Sequence, residues 1–150
     1  MNFKPLFGLS GGGTPSANPH QALAGQTIAV GDLVFVSAAG FVTKATDGSA
    51  NLLGVAASSV TTASAGEQIL VWDDPGNVYL ATADAAVVQT DKYNMCDIDA
   101  DQKVDMSDGT GDSLQVFDLY TNYDSSAATT KVLVTIADSA HVYCSGAQNA

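Results

Sequence analysis

The sequence predicts an all-β protein, a single small sandwich or barrel-like domain with an extended Gly/Pro-rich N-terminal arm. Two observations carry this expectation. From Gln26 onward, short runs rich in β-branched residues alternate with Gly, Asp, Asn and Pro turn signals at the spacing of sandwich or barrel strands. A length of 150 residues suits one ordinary domain with one self-supporting core, and neither a heptad pattern nor a fixed-period repeat divides it.

Residues 1–25 read as the arm and residues 26–150 as the β-rich domain. The first segment holds Gly11, Gly12 and Gly13 together with Pro5, Pro15 and Pro19, a composition that builds no core of its own and stays mobile unless something ties it down. Phe3, Leu6 and Phe7 are large apolar residues that solvent would not reward. They are the candidate contact residues, either docking on a neighbouring subunit or a larger assembly or folding back onto their own domain.

The strands follow in order. Ile28 and Val30 alternate before Gly31-Asp32, and Leu33 to Val36 is a continuous apolar run. Ala39-Gly40 then leads into Phe41 to Ala45, which together read as a hairpin. Asp47-Gly48 supplies the next turn, Leu53 to Ala56 the next strand, and Ala65-Gly66 precedes Gln68 to Trp72. Asp73-Asp74-Pro75-Gly76-Asn77 is the clearest turn. Pro75 presets φ for its first central position, and Gly76 tolerates a positive φ at the second. It joins Trp72 to Val78-Tyr79-Leu80. Residues 83–88 have the composition of a helical turn too short to stand without packing. Lys92 to Ile98, Ser113 to Tyr120 and Lys131 to Ile136 complete the set. The runs 33–36 and 69–72 are apolar on both faces, as expected for burial between two layers or for a layer facing another subunit.

Sixteen acidic residues against five Lys and no Arg give a formal net charge of -11, which repels phosphate backbones and anionic membranes. Nucleic acid and membrane are therefore not expected partners. No apolar run near the N-terminus has the length of a signal-peptide core or a membrane span, so synthesis in the cytoplasm is expected. Cys96 and Cys144 lack CxxC spacing and read as two reduced thiols, with a late disulfide between them as the alternative.

Groups that do covalent chemistry are sparse. Two His, one Glu and no nucleophile motif argue against an enzyme, since His20 and His141 would need remote partners to converge on them. Asp97, Asp99, Asp101, Asp105 and Asp108 follow the ligand spacing of a calcium loop, with Val104 at its apolar position. Gln102, however, stands where such loops use Gly, Asp108 is shorter than the usual Glu, and the flanks read as strands. A solvated acidic loop is the expectation, with Ca²⁺ at residues 97–108 as the alternative and no other cofactor. Trp72, Tyr79, Tyr93, Tyr120, Tyr123 and Tyr143 are expected to pack in core or interface before they serve as a sugar platform.

Four segments carry a resemblance: Ala24 to Val34 with its Gly31-Asp32-Leu33-Val34, Gly40 to Ala45, Leu53-Gly54-Val55-Ala56, and Ala65 to Val71. Their order resembles the small head decoration proteins of tailed bacteriophages over about residues 24–82. Gly111 to Val116 and Lys131 to Ile136 look like the tail of similar proteins. The resemblance implies a β-rich subunit without catalytic residues that binds the major capsid protein on the outer capsid surface of the virion. It further implies a homo-oligomer, a trimer above other states, that stiffens the shell, with Phe3, Leu6 and Phe7 as candidate capsid or inter-subunit contact residues. A fibre or head-vertex component, or a carbohydrate- or calcium-binding β module, is the alternative reading.

Overall fold

The computed structural model describes residues 1–9, 15–46, 49–107 and 113–144. The expected Asp47-Gly48 turn, the Gly11–Gly13 run, Asp108 and Gly111-Asp112 lie outside the described residues. The strands are β1 (Phe3–Gly8), β2 (Asn18–Ala22), β3 (Thr27–Ile28), β4 (Leu33–Val36), β5 (Val42–Lys44), β6 (Leu52–Ala56) and β7 (Val60–Thr61). They continue as β8 (Glu67–Trp72), β9 (Asn77–Thr82), β10 (Met95–Ile98), β11 (Val104–Asp105), β12 (Leu114–Leu119) and β13 (Lys131–Ile136). The all-β class predicted from the pattern is the class observed.

Five strands close a barrel in the order β2-β5-β4-β6-β8, six form a sheet in the order β1-β9-β13-β12-β10-β11, and β3 pairs with β7. Within both larger units the pairing is antiparallel, except for a parallel contact of β2 and β5 at Ala22 and Val42. Two apolar cores result. Ala22, Ile28, Val34, Val42, Leu53 and Ile69 fill the barrel. The second core lies between barrel and sheet, where Leu33, Leu52 and Val55 meet Phe3, Tyr79, Val116 and Val134.

Strand β6 shows how one short run serves both cores. Leu52 and Val55 enter the shared core, while Leu53 and Ala56 enter the barrel. Strict alternation would send residues three apart to opposite faces. Gly54 resets the parity between them, beside a register shift against β4 between Val34 and Phe35. A Cβ at Gly54 would collide with the Trp72 carbonyl, so no larger residue fits. The continuous apolar pattern of 33–34 is thus burial between two layers. In 69–72, by contrast, Leu70 is exposed while Ile69 and Val71 line the barrel.

The N-terminal segment corrects one expectation. It is extended in backbone, but residues 1–25 are not an arm set apart from a domain that begins at residue 26. Phe3–Gly8 pairs antiparallel with β9 as an edge strand, and Asn18–Ala22 pairs with β8 inside the barrel. Of the two dispositions open to the segment, it takes the fold-back. The physical reason is that Phe3 and Ala22 complete cores which the later strands leave open, and both are fully buried. Pro5 fits because an edge strand tolerates a missing N–H, and a bulge follows it between Pro5 and Phe7.

Three smaller differences have local causes. The turn after Trp72 is present, closed by Asn77 N–H donating to the Asp74 carbonyl, but Gly76 is not among the glycines of positive φ. Asp74 Oδ1 accepts the Gly76 N–H at 2.8 Å, and this side-chain turn removes the need for the positive-φ geometry. The helical turn that the composition of 83–88 leaves open falls just after it, at Gln89–Asp91, where Asp91 accepts the Val88 N–H at 2.8 Å. The strand expected from Lys92 starts only at Met95, because Tyr93 adopts φ 71° in the bend before it.

Candidate functional site

A polar constellation gathers around Asp73, which directly follows β8 and is 5% exposed. Asn18 and His20 come from β2, held opposite β8 by the pairing of Asn18 with Val71 and of His20 with Ile69. Asn18 Nδ2 donates to Asp73 Oδ1 at 2.7 Å, and His20 Nε2 lies 2.8 Å from Oδ2. Tyr143 OH donates to the same Oδ2 at 2.8 Å. The C-terminal segment reaches this place by bracketing β6. Leu52 N–H donates to the Ala140 carbonyl and Val142 N–H to the Leu52 carbonyl. His141, between them, is fully buried; its Nδ1 accepts the Tyr143 N–H at 3.1 Å.

Burial alone would raise the pKa of Asp73. The hydrogen bonds from Asn18, His20 and Tyr143, with the charge of His20, outweigh it and hold the carboxyl below the usual range. Burial pushes His141 down, against the opposing pull of the Asp73 and Leu53 carbonyls and the nearby carboxylates. Tyr143 is raised to about 12 by burial and by its bond to the Asp73 carboxylate. Asp73 thus carries three hydrogen bonds from two chain segments far apart in sequence. Chemically the cluster is a clasp that fixes the C-terminal segment and β2 to the barrel rim.

Carboxylates of the acidic loop accept hydrogen bonds from nearby groups of the chain. Asp97 is buried in β10, and its Oδ1 accepts from Ser113 Oγ at 2.6 Å and from the Ile98 N–H at 2.8 Å. Asp99 Oδ1 accepts the N–H groups of Asp101 and Lys103, closing the β10–β11 hairpin, and Asp105 Oδ1 accepts from Ser107. Gln102, at the position where a calcium loop carries Gly, does take a left-handed conformation, with φ 63°. Its side chain is buried, accepting the Leu33 N–H at 2.6 Å and donating to the carbonyls of Leu33 and Ala45 at 3.1 and 2.7 Å. Among the described residues no three His, Cys, Asp or Glu side chains are grouped to hold a metal ion. Asp108 lies outside them.

The candidate contact residues separate by burial. Phe3 is 0% exposed and belongs to the shared core, so in this fold it faces no partner. Leu6 and Phe7 are half-buried. Phe7 lies opposite Val78 on the sheet face turned away from the barrel, and its ring meets that of Phe117 edge-on with centroids 5.9 Å apart. Val78 and Leu133 are fully buried although neither belongs to the two cores. The register places them on that outer face, where the Phe7 and Phe117 rings sit.

Tyrosines divide likewise. Tyr79 is in the shared core, donating to the Trp72 carbonyl at 2.9 Å, and Tyr143 belongs to the clasp. Tyr93 and Tyr123 are exposed and sit on a common network. Lys92 Nζ lies 5.3 Å from the Tyr93 ring centroid and 3.4 Å from Asp118, which in turn accepts from Asn122 at 2.7 Å. Cys96 is buried, its Sγ 3.7 Å from the Leu114 carbonyl, and Cys144 is exposed.

No protein-family model matches the chain, and no curated protein is significantly similar to it. Among the described residues no helix is long and apolar enough to cross a membrane. The convergence of His20 and His141 on Asp73 is the feature that sequence reasoning missed. The pairing of β2 with β8 brings His20 there and the bracketing of β6 brings His141, and no local spacing announces either.

Proposed function

We propose that this chain is a non-enzymatic structural protein that binds the outside of an assembled phage capsid and stabilises it. Its partner in this reading is the major capsid protein, and its working form is a homo-oligomer, a trimer by resemblance. It is made in the host cytoplasm and resides on the outer surface of the virion.

One observation supports the reading above the others. The residues that resemble head decoration proteins, 24–82, span β3 to β9 and include four of the five barrel strands, so most of the resemblance falls on the barrel. A closed barrel leaves no ladder edge for a stray strand and presents side chains alone to its surroundings. Such a module suits reversible docking of many copies on a lattice, where individually modest contacts add through avidity. The His20–Asp73 pair, the group closest to acid–base chemistry, has its carboxylate occupied by structural donors.

The test is to mix the purified protein with undecorated heads, pellet them, and count bound copies per particle alongside the heads' resistance to heating. Saturable binding at a symmetry-matched stoichiometry with raised resistance is expected. Absence of binding, or binding only to tails or glycans, overturns the reading.

A further inference from the structure

The sheet face turned away from the barrel combines apolar surface with positive charge in a strongly acidic protein. The register puts Lys4 opposite Leu80, Leu80 opposite Leu133, and Lys131 opposite Thr82, all on the same face as Phe7. Leu80, Phe7 and Phe117 are half-buried there, over the buried Val78 and Leu133. Lys44 and Lys92 are paired with Asp32 and Asp118 at 3.2 and 3.4 Å. Among the described residues no carboxylate pairs with Lys4, Lys103 or Lys131, and two of these three lie on this one face.

A second surface has the opposite character. At the end of the sheet where β9 and β12 run out, Val88, Tyr93 and Tyr123 are 55%, 63% and 55% exposed. Asn122 Nδ2 lies 3.4 Å from Gln89 Oε1, which brings the two turns carrying Val88 and Tyr123 together. Asp84 and Asp124 flank them in the chain and are exposed, while the charge of Lys92 is matched by Asp118. Tyr93 holds this position with φ 71°, a conformation that is strained for a bulky side chain and persists only where the surroundings impose it.

We propose that these surfaces meet between copies: the lysine-flanked sheet face of one chain docks on the carboxylate-flanked tyrosine end of another. Local charge selects the occupant. The tyrosine end of a second copy offers the lysines the carboxylates of Asp84 and Asp124, and offers the apolar residues its exposed Val88, Tyr93 and Tyr123. Pairing the sheet face with itself about a two-fold axis would bring Lys4 and Lys131 against the same lysines in a partly desolvated contact. The contact is therefore heterologous, and it closes into a ring if the rotation between copies permits. It does not depend on what the ring binds, so it stands or falls separately from the capsid reading.

The experiment mixes unlabelled and ¹⁵N-labelled protein with a zero-length carbodiimide cross-linker and maps the mixed-isotope peptides, alongside sedimentation of the same material. Expected are cross-links joining Lys4 or Lys131 to Asp84, Asp91 or Asp124. Association should weaken by about tenfold or more when salt rises from about 0.05 to 0.5 M. The K4E/K131E variant should sediment as a monomer with an unchanged circular dichroism spectrum, and mixing it with a D84K/D124K variant should restore association. Wild-type protein that stays monomeric at low salt, association that survives both charge reversals, or inter-copy cross-links confined to Lys44, Lys92 and Lys103 would overturn the proposal.

Discussion

The barrel and the six-stranded sheet use similar residues and end differently. Every barrel strand has a neighbour on each side, and the interior is filled by aliphatic side chains such as Ile28, Leu53 and Ile69, with no aromatic among its buried core residues. The sheet ends at β1 and β11, and its shared core takes the two largest fully buried side chains, Tyr79 and Phe3. The closed unit pairs each of its strands on both sides. The open unit needs the N-terminal strand to finish its core and leaves one face turned away from the barrel. The comparison teaches that the segment with the least intrinsic structure is the one that completes the sheet.

Removing the Phe3 ring tests that dependence and should have the largest effect. Phe3→Ala is expected to cost about 4 kcal/mol in urea unfolding, because the lost transfer energy adds to a cavity in the shared core. A cost below about 1 kcal/mol would mean that β1 is not seated there. Next comes the joint between the two units. Gln102→Leu strips three hydrogen bonds from Leu33 and Ala45 and strands buried backbone groups, for an expected loss of about 3 kcal/mol. If barrel and sheet then unfold in separate transitions by near-ultraviolet circular dichroism, Gln102 couples them; a single shifted transition would place the coupling in the apolar contacts.

The clasp on the barrel rim should give a pH signature in the histidine range as well as the carboxylate range. His141 is held below its ordinary value of 6.5, so above pH 6.5 folded and unfolded chains are alike in its protonation and its contribution is fully present. As pH falls below 6.5 the unfolded chain takes up a proton that the folded chain refuses, and stability declines until the folded value is passed. Asp73 acts in a lower window. Its folded pKa lies below 3.8, so its stabilisation is present above 3.8 and is lost as pH falls through the folded value. Urea midpoints from pH 8 to pH 3 should show both declines, and His141→Gln should flatten the upper one alone. The smallest effect sharpens the picture of the sheet end. Tyr93→Gly relieves a positive φ and should stabilise by up to about 1 kcal/mol in the same assay, unless the Lys92 contact offsets the gain.

Much of the fold was legible in the chain because strands advertise themselves locally. The runs at 33–36, 53–56, 68–72 and 131–136, with the Asp74-Pro75-Gly76-Asn77 turn, lie where β-branched content and turn chemistry put them. The polar clasp was not legible. Asn18 and His20 read as part of the N-terminal arm, Asp73 as part of a turn and Tyr143 as a core or interface residue, and no spacing marks them as a site until β2 is laid beside β8.

What the sequence determined by itself was the class of the protein: all-β, strongly acidic, poor in catalytic groups and punctuated by turns. These follow from composition and from periods of two residues, which act over a few neighbours. Tertiary structure alone decided where the N-terminal segment went, that Gly54 lets β6 serve two cores, and that Gln102 ties the acidic hairpin to the barrel. Those outcomes depend on which distant strand offers a cavity, a carbonyl or a missing Cβ contact at the right place. Such complementarity exists only once the chain has closed on itself.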